Sequence, residues 1–262
     1  MQTLQQNGTE PVDPAMVVDV NRITRMPDNF PRLWSTVEQL YKLLRIELDD
    51  AIVNDAYRFQ HIKSRTGARV YSAGDRCDAI FVVYAGFLKT SWVDKYGNEK
   101  ILGFPMKGDV IGFDGIDLKQ FRNTLVALSD IELIVVPMDF FHSNGSHASG
   151  FRRKVMELMS HALVAGQKVE YMMGTLPAEA RVAKFLLSIS QKFRAMGFSD
   201  KSFHLRMTRE DIGSYLGLTL EMVSRTLSGF SRCGLIRVDQ KFIEIVDCDG
   251  LKLLRRLPAL KR

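Results

Sequence analysis

The sequence predicts an α+β protein: an N-terminal antiparallel β-roll of the jelly-roll kind, a long helix, and a C-terminal winged helix-turn-helix. Three observations carry this. Residues 57–140 hold seven short β-rich runs separated by turn signals, the mark of an antiparallel roll. The stretch "SGFRRKVMELMSHALVAGQKVEYMMG" is helical in period and apolar over more than one face. Residues 208–246 read as helix, turn, helix, hairpin. The expected boundaries are a tail at 1–30, the roll with a preceding helix at 31–147, the long helix at 148–175 and the winged domain at 176–262.

Residues 1–30 are polar, carry Pro11, Pro14 and Pro27, and lack periodicity, so a flexible arm is expected there. From Ser35 to about Ala56, Val37, Leu40, Leu43 and Leu44 fall at helical spacing, and Ser35 with Glu38 fits a capping box. The strand candidates follow as "RVYS", "AIFVVYAG", "FLKTSWV", "KILGFP", "DVIGF", "FRNTLVAL" and "IELIVVP". Turns such as Ala73-Gly74-Asp75, Tyr96-Gly97-Asn98 and Lys107-Gly108-Asp109 separate them; glycine there tolerates positive φ.

On the long helix Val155, Met159, Ala162, Gly166, Val169 and Met173 recur at steps of four and three, an uncharged heptad-like seam. Met156, Leu158, Leu163, Val164, Ala165 and Met172 widen the stripe beyond one face. Such a helix must be covered on two sides. One side is expected on the roll and the other on a twin helix, with Ala162 and Gly166 allowing close approach. Burial within one chain is the competing reading.

After Pro177, "AEARVAKFLLSISQKFRAMG" is amphipathic through Val182, Phe185, Leu186, Ile189 and Phe193, and Gly197 closes it. Thr208 with Asp211 forms a capping box, and Ile212, Tyr215 and Leu216 face inward. In the turn, Gly217 can leave the helix left-handed, Leu218 can plug the core, and Thr219 can cap the next helix. On that helix Val223, Leu227 and Phe230 share one face, and Glu221, Ser224, Arg225 and Ser228 the other. A second helix with polar residues near its start suits the DNA major groove. Arginine can give two hydrogen bonds to guanine, glutamate can accept from cytosine, and serine can act either way. The bland alternative is a solvated face with an internal Glu221–Arg225 ion pair. "LIRVDQKFIEIV" then alternates as a two-stranded wing.

Charge agrees with a polyanion partner. Residues 174–262 hold 16 Lys/Arg against 9 Asp/Glu, a surplus of 7, whereas residues 1–173 hold 20 against 21. The 46% apolar and 25% charged composition is that of a globular protein. No run reaches the ~18 apolar residues of a membrane span, and the N-terminus lacks a signal-peptide layout, so a cytoplasmic protein with no membrane partner is expected. Cys77, Cys233 and Cys248 are too few and too scattered for a disulfide framework or a four-ligand metal site. A Gly-rich phosphate loop, an H-E-x-x-H run and a nucleophile motif are all missing, so no enzyme is expected.

The runs "MTREDIGSYLGLTLEMVSRTLSGFSRCGLI", "AGDRCDAIFVVYAGFLKT", "GNEKILGFPMKGDVIGFDGI" and "AEARVAKFLLSIS" together resemble the Crp/Fnr family of bacterial transcription regulators, over roughly residues 57–247. The resemblance makes the roll cyclic-nucleotide-binding-like. Its E-x-x-S-R, here Glu221, Ser224 and Arg225, is that of the Fnr branch. It implies a homodimer on double-stranded DNA at a TTGAT-N4-ATCAA-like palindrome, with RNA polymerase as a partner. Thr208 and Arg209 fall where the family touches phosphates, and Thr219 and Ser228 are further backbone candidates.

The sensing residues of the family are not reproduced. Cyclic AMP binding needs a glutamate where Phe113 stands and an Arg-Ser pair where "FRNTLVA" stands; Asp114 and Arg122 are the conceivable substitutes. The iron–sulfur cluster of Fnr needs cysteines before Cys77 and one near Ile134, and neither is there. No cofactor is therefore expected, while His61, His142, His147 and His161 keep haem open. Cys77 lies in an exposed-looking turn beside Asp75 and Asp78, which raise a thiol pKa, so Cys233 beside Arg232 is the redox-switch candidate. A dimer competent for DNA without any effector also fits. The competing function is a small-ligand- or haem-responsive signalling module acting through protein contacts.

Overall fold

The computed structural model of the chain describes residues 33–48, 52, 55 and 57–254. The expected arm at 1–30 lies outside them.

Two antiparallel sheets form the N-terminal half. One runs β1 (Trp34–Thr36), β2 (Arg58–Ser64), β9 (Ile131–Pro137), β4 (Ala79–Ala85), β7 (Val110–Ile111). The other runs β3 (Arg69–Tyr71), β8 (Thr124–Ala127), β5 (Leu88–Val93), β6 (Glu99–Gly103). All seven expected runs are strands β3 to β9; β1 and β2 are additional. β2, "RFQHIKS", escaped notice because only Phe59 and Ile62 are buried along it.

β4 shows why the roll has two cores. Alternate residues of a strand face opposite sides. Phe81 and Val83 enter the layer between the sheets with Leu88, Leu125 and Leu133, beside Tyr71 and Phe121 stacked at 3.8 Å. Ile80 and Val82 face the other way, onto α1 (Val37–Leu44), α2 (Met138–His142) and the start of α3 (Ser146–Thr175). A strand buried on both faces must be a continuous apolar run, and "AIFVVYA" is one.

Helix α1 is shorter than expected and is capped one residue later. Thr36, not Ser35, is the N-cap: its hydroxyl accepts from the Gln39 N–H at 3.1 Å, and the Gln39 side chain accepts from the Thr36 N–H at 2.9 Å. Ser35 is committed elsewhere. It lies in β1, and its hydroxyl meets His61 Nε2 at 2.7 Å while His61 Nδ1 meets Glu132 at 2.6 Å. These residue types serve hydrolases, but Ser35 is only 3% exposed, and the relay instead ties the outer strand β1 through β2 to β9. The helix stops at Arg45, which is left-handed (φ 56°). Much of the remaining expected helix, residues 49–51, 53, 54 and 56, lies outside the described residues.

The C-terminal third contains α4 (Ala178–Ala195), β10 (Ser202–His204), α5 (Arg209–Leu216), α6 (Leu220–Arg232), the wing strands β11 (Ile236–Asp239) and β12 (Phe242–Ile245), and α7 (Cys248–Leu254). β10 joins the wing as a third strand, in the order β10-β12-β11. Phe185, Leu186, Ile189, Val223, Leu227 and Phe230 fill its core. The same core takes in Ile101, Phe104 and Met106 from the roll, so the apolar interior does not stop at residue 176.

One turn has no latitude. Gly86, between β4 and β5, has φ +95°, and a Cβ there would lie 2.5 Å from the Asp130 carbonyl oxygen. Gly86→Ala is expected to cost more than about 1 kcal/mol, from strain and collision together, read as a lowered midpoint in urea unfolding.

Candidate nucleic-acid interface

The helix-turn-helix is built from local rules. Thr208 and Asp211 make the capping box: the Asp211 N–H donates to the Thr208 hydroxyl at 3.0 Å, and the Thr208 N–H donates to the Asp211 carboxylate at 2.8 Å. Gly217 ends α5 in the left-handed region (φ 65°), where other residues are disfavoured. Thr219 then caps α6 by accepting from the Met222 N–H at 3.2 Å. Gly213 permits the turn to close, because a Cβ there would meet the Leu218 carbonyl oxygen at 2.6 Å.

Helix α6 buries Val223, Thr226, Leu227 and Phe230 and leaves Glu221, Arg225 and Ser228 exposed, with Ser224 partly so. Among the described residues no ion pair joins Glu221 to Arg225. Its own backbone N–H and the Thr219 hydroxyl lie beside the Glu221 carboxylate and hold its pKa below the ordinary value. It is therefore ionised and acceptor-only at neutral pH, while the Arg225 guanidinium is exposed one turn on. The Thr208 hydroxyl is engaged in the cap, and Arg209 donates to the Gln240 carbonyl in the wing turn at 2.7 Å. That bond ties the start of the motif to the wing.

Residues that the sequence reading passed over join this unit to the rest of the chain. Arg181 donates to carbonyls at the ends of two helices: Met173 and Leu176 (2.8 Å) at the end of α3, Leu216 (3.1 Å) and Gly217 (3.3 Å) at the end of α5. The Ser214 hydroxyl accepts from the Ile101 N–H at 2.9 Å and donates to the Glu99 carbonyl at 3.2 Å. Lys100 donates to the Ser214 and Tyr215 carbonyls, and Lys89 pairs with Asp211 at 2.8 Å. Lys192 pairs with Asp109 at 2.8 Å across the same boundary. Nothing local marks Ser214, Lys100, Lys89 and Lys192, since their partners lie over 80 residues away, and those of Arg181 at the end of α5 lie 35 and 36 residues on.

Between the roll, α3 and the winged unit lies a cleft of about 700 Å³, bordered by Tyr71, Lys100, Phe104, Asp114, His161 and Met173 among others. The Asp114 carboxylate accepts from the backbone N–H of Arg122 (2.9 Å) and Asn123 (3.1 Å), and Arg122 points to Asp117 in solvent instead of lining the cleft. Among the described residues no three His, Cys, Asp or Glu side chains cluster as a metal site. His61 is held in the β1 relay, His142 is exposed, His161 borders the cleft, and the His147 side chain lies outside what is described.

Two sequence expectations are corrected. Cys77 is not exposed: it is 2% accessible, packed against Gly115, and burial, with Asp114 and Asp78, pushes its thiol up to about 11. Cys233 and Cys248 are exposed. On α3, Val155 is fully buried in the roll, so it does not belong to an outward seam. Ala162, Gly166, Val169 and Met173 border the cleft, and Met159 is exposed. The packing of α3 on the roll ends near Leu158. The large apolar side chains left open are Met156, Leu163, Val164 and Tyr171, about a third of a turn around the helix from the seam.

A Crp-like helix-turn-helix domain matches residues 180–254, and a cyclic nucleotide-binding domain matches residues 61–143. The chain is 36% identical over 195 residues to the transcriptional regulatory protein btr of Bordetella pertussis, covering 74% of this chain and 81% of that one. It is 37% identical over 188 residues to electron transport regulator A of Shewanella oneidensis, covering 72% and 75%. Among solved structures, FixK2 from Bradyrhizobium japonicum has the same fold, with a TM-score of 0.69, 24% identity, and coverage of 76% of this chain and 98% of that one.

Two outcomes are expected from the ionisable groups. Burial raises the Asp211 pKa, but hydrogen bonds from Lys89 and Thr208 outweigh it, so the folded value lies below 3.8. Burial lowers Lys89, and Asp211 and Glu99 outweigh that too. The pair thus contributes stability above the unfolded Asp pKa and loses it as pH falls through the lowered folded value. The stability difference between the protein and Asp211→Asn should be constant from about pH 5 to about pH 9, shrink toward pH 3, and shrink again as pH rises through the raised Lys89 value, measured by urea unfolding at each pH. In the native protein iodoacetamide should add two groups, at Cys233 and Cys248, and a third only after denaturation, read by mass spectrometry.

Proposed function

The chain belongs to the Crp/Fnr family of bacterial transcription regulators, and from that premise we propose that it acts as a homodimer reading a TTGAT-N4-ATCAA-like palindrome, one α6 per half-site. The observation that carries the reading is the exposed polar face of α6, set opposite Val223, Leu227 and Phe230. Glu221, already ionised at the helix start, accepts from a cytosine amino group, Arg225 donates to a guanine, and Ser224 contacts a neighbouring base. Thr208, Arg209, Thr219 and Ser228 are assigned to the phosphates, with the basic surplus of residues 174–262 supporting them.

Dimerisation is assigned to α3. Its large exposed side chains form an apolar stripe of the kind that a second helix covers, centred on Met156, Met159 and Leu163, with Ala162 and Gly166 at its margin. A Cβ on Gly166 would meet nothing within 4 Å, so the backbone there is open to close approach. RNA polymerase is the partner the family assignment adds. Neither cyclic AMP nor an iron–sulfur cluster is part of the proposal, and the docked winged unit, with its reading face open, supports a DNA-competent state that needs no effector.

Arg225→Ala should remove selectivity at one guanine by about 1–3 kcal/mol in fluorescence-anisotropy titrations against matched and substituted palindromes. Affinity of the unaltered protein should fall steeply with salt, in proportion to the phosphates neutralised. Binding to the palindrome that is indifferent to Arg225→Ala would overturn the assignment of α6.

A further inference from the structure

The winged unit is joined to α3 through Leu176 and Pro177 alone, a joint of few dihedrals that by itself permits a swing. The shared core and the Lys192–Asp109 pair oppose that swing, and two attachments act directly on α5. Arg181 holds the joint, gathering the last carbonyls of α3 and α5. The other lies on the roll, at β6. That strand pairs with β5 on one side only, so its outer edge exposes backbone groups. Ser214 meets both the Ile101 N–H and the Glu99 carbonyl there, as a neighbouring strand would. Lys89, on β5, pairs with Asp211 three residues earlier on α5. Asp211, Ser214 and Tyr215 therefore present one face of α5 to the roll, and Tyr215 adds an edge contact with Phe104 at 5.5 Å. The reading face of α6 takes no part in these contacts.

We infer that Ser214 and Lys89 are positioning residues: they clip α5 to the edge of the roll, fix the angle between α6 and the dimer helix α3, and so select the spacing between half-sites. The inference rests on the palindrome reading above. In a dimer the two reading helices must stand about one DNA turn, roughly 34 Å, apart. Rotation about the 176–177 joint changes that separation while leaving each helix able to read its own half-site. Loss of the clip therefore relaxes the choice of spacing more than the choice of bases. Asp211 also caps α5, which makes Lys89 and Ser214 the informative positions to alter.

The test uses the full chain carrying Lys89→Ala and Ser214→Ala together, titrated against TTGAT palindromes with three, four and five intervening base pairs. The unaltered protein should prefer one spacing, and the double variant should lose about tenfold of that preference, as expected for the removal of a few hydrogen bonds. A merely structural loss would weaken all three sites alike and leave their ratio unmoved, which would overturn the inference. A second arm needs no DNA. Spin labels on Cys233 and at position 65, in a background of Arg65→Cys and Cys248→Ser, report the distance between reading helix and roll. One narrow distance that broadens in the double variant supports the clip, and an unchanged distribution overturns it. Should the unaltered protein prefer no TTGAT spacing, the palindrome reading fails and the distance arm alone decides the clip.

Discussion

The outer edge of β6 is the constraint around which this molecule is arranged. An edge strand carries peptide groups that need partners, and a covered edge must be given them by whatever covers it. Here the cover is the first helix of a helix-turn-helix. Ser214 supplies one donor and one acceptor where a further strand would supply the same, and Ile101, Phe104 and Met106 continue the apolar core from the roll into the winged unit. The sensor-like half and the reading half are thus neither beads on a string nor a single domain. They share an interior, while a cleft of about 700 Å³ remains beside the shared part.

That arrangement bears on regulation. Charged contacts between the halves, Lys89–Asp211 and Lys192–Asp109, are individually modest, because partly exposed ion pairs are screened and entropically costly. The Lys89–Asp211 pair gains from its surroundings: Asp211 accepts from Lys89 and Thr208 together, so the bond to the roll and the cap of α5 share one carboxylate. The roll and the start of the helix-turn-helix are in this way joined through one side chain. Cys77, the one cysteine inside the roll, takes no part, since burial keeps its thiol protonated.

Where sequence reading succeeded, the determinants were local. The capping box of Thr208 with Asp211, Gly217 and the polar face of α6 are set within one or two turns of chain, and the seven strands announced themselves by alternation and glycine turns. It failed where distant groups competed for one side chain. Ser35 is a sound N-cap by type, but His61, 26 residues on, claims its hydroxyl and the cap passes to Thr36. Cys77 follows a glycine turn that reads as surface, yet Gly115 and Phe121 close over it. The heptad seam of α3 was legible as a pattern, but Val155 is claimed by the roll and most of the remainder borders the cleft.

The sequence by itself determined the order of parts, the helix-turn-helix with its turn chemistry, and the identity of Glu221, Ser224 and Arg225 as the polar residues on one face of α6. These are properties of residue type and short-range spacing. Tertiary structure alone decided which face of α3 stays open, which cysteine is sealed, how the Asp114 carboxylate is spent, and that α5 docks on β6 through Ser214, Lys89 and Lys100. Each of those depends on groups brought together from far along the chain, and no periodicity within one segment records which distant partner will arrive.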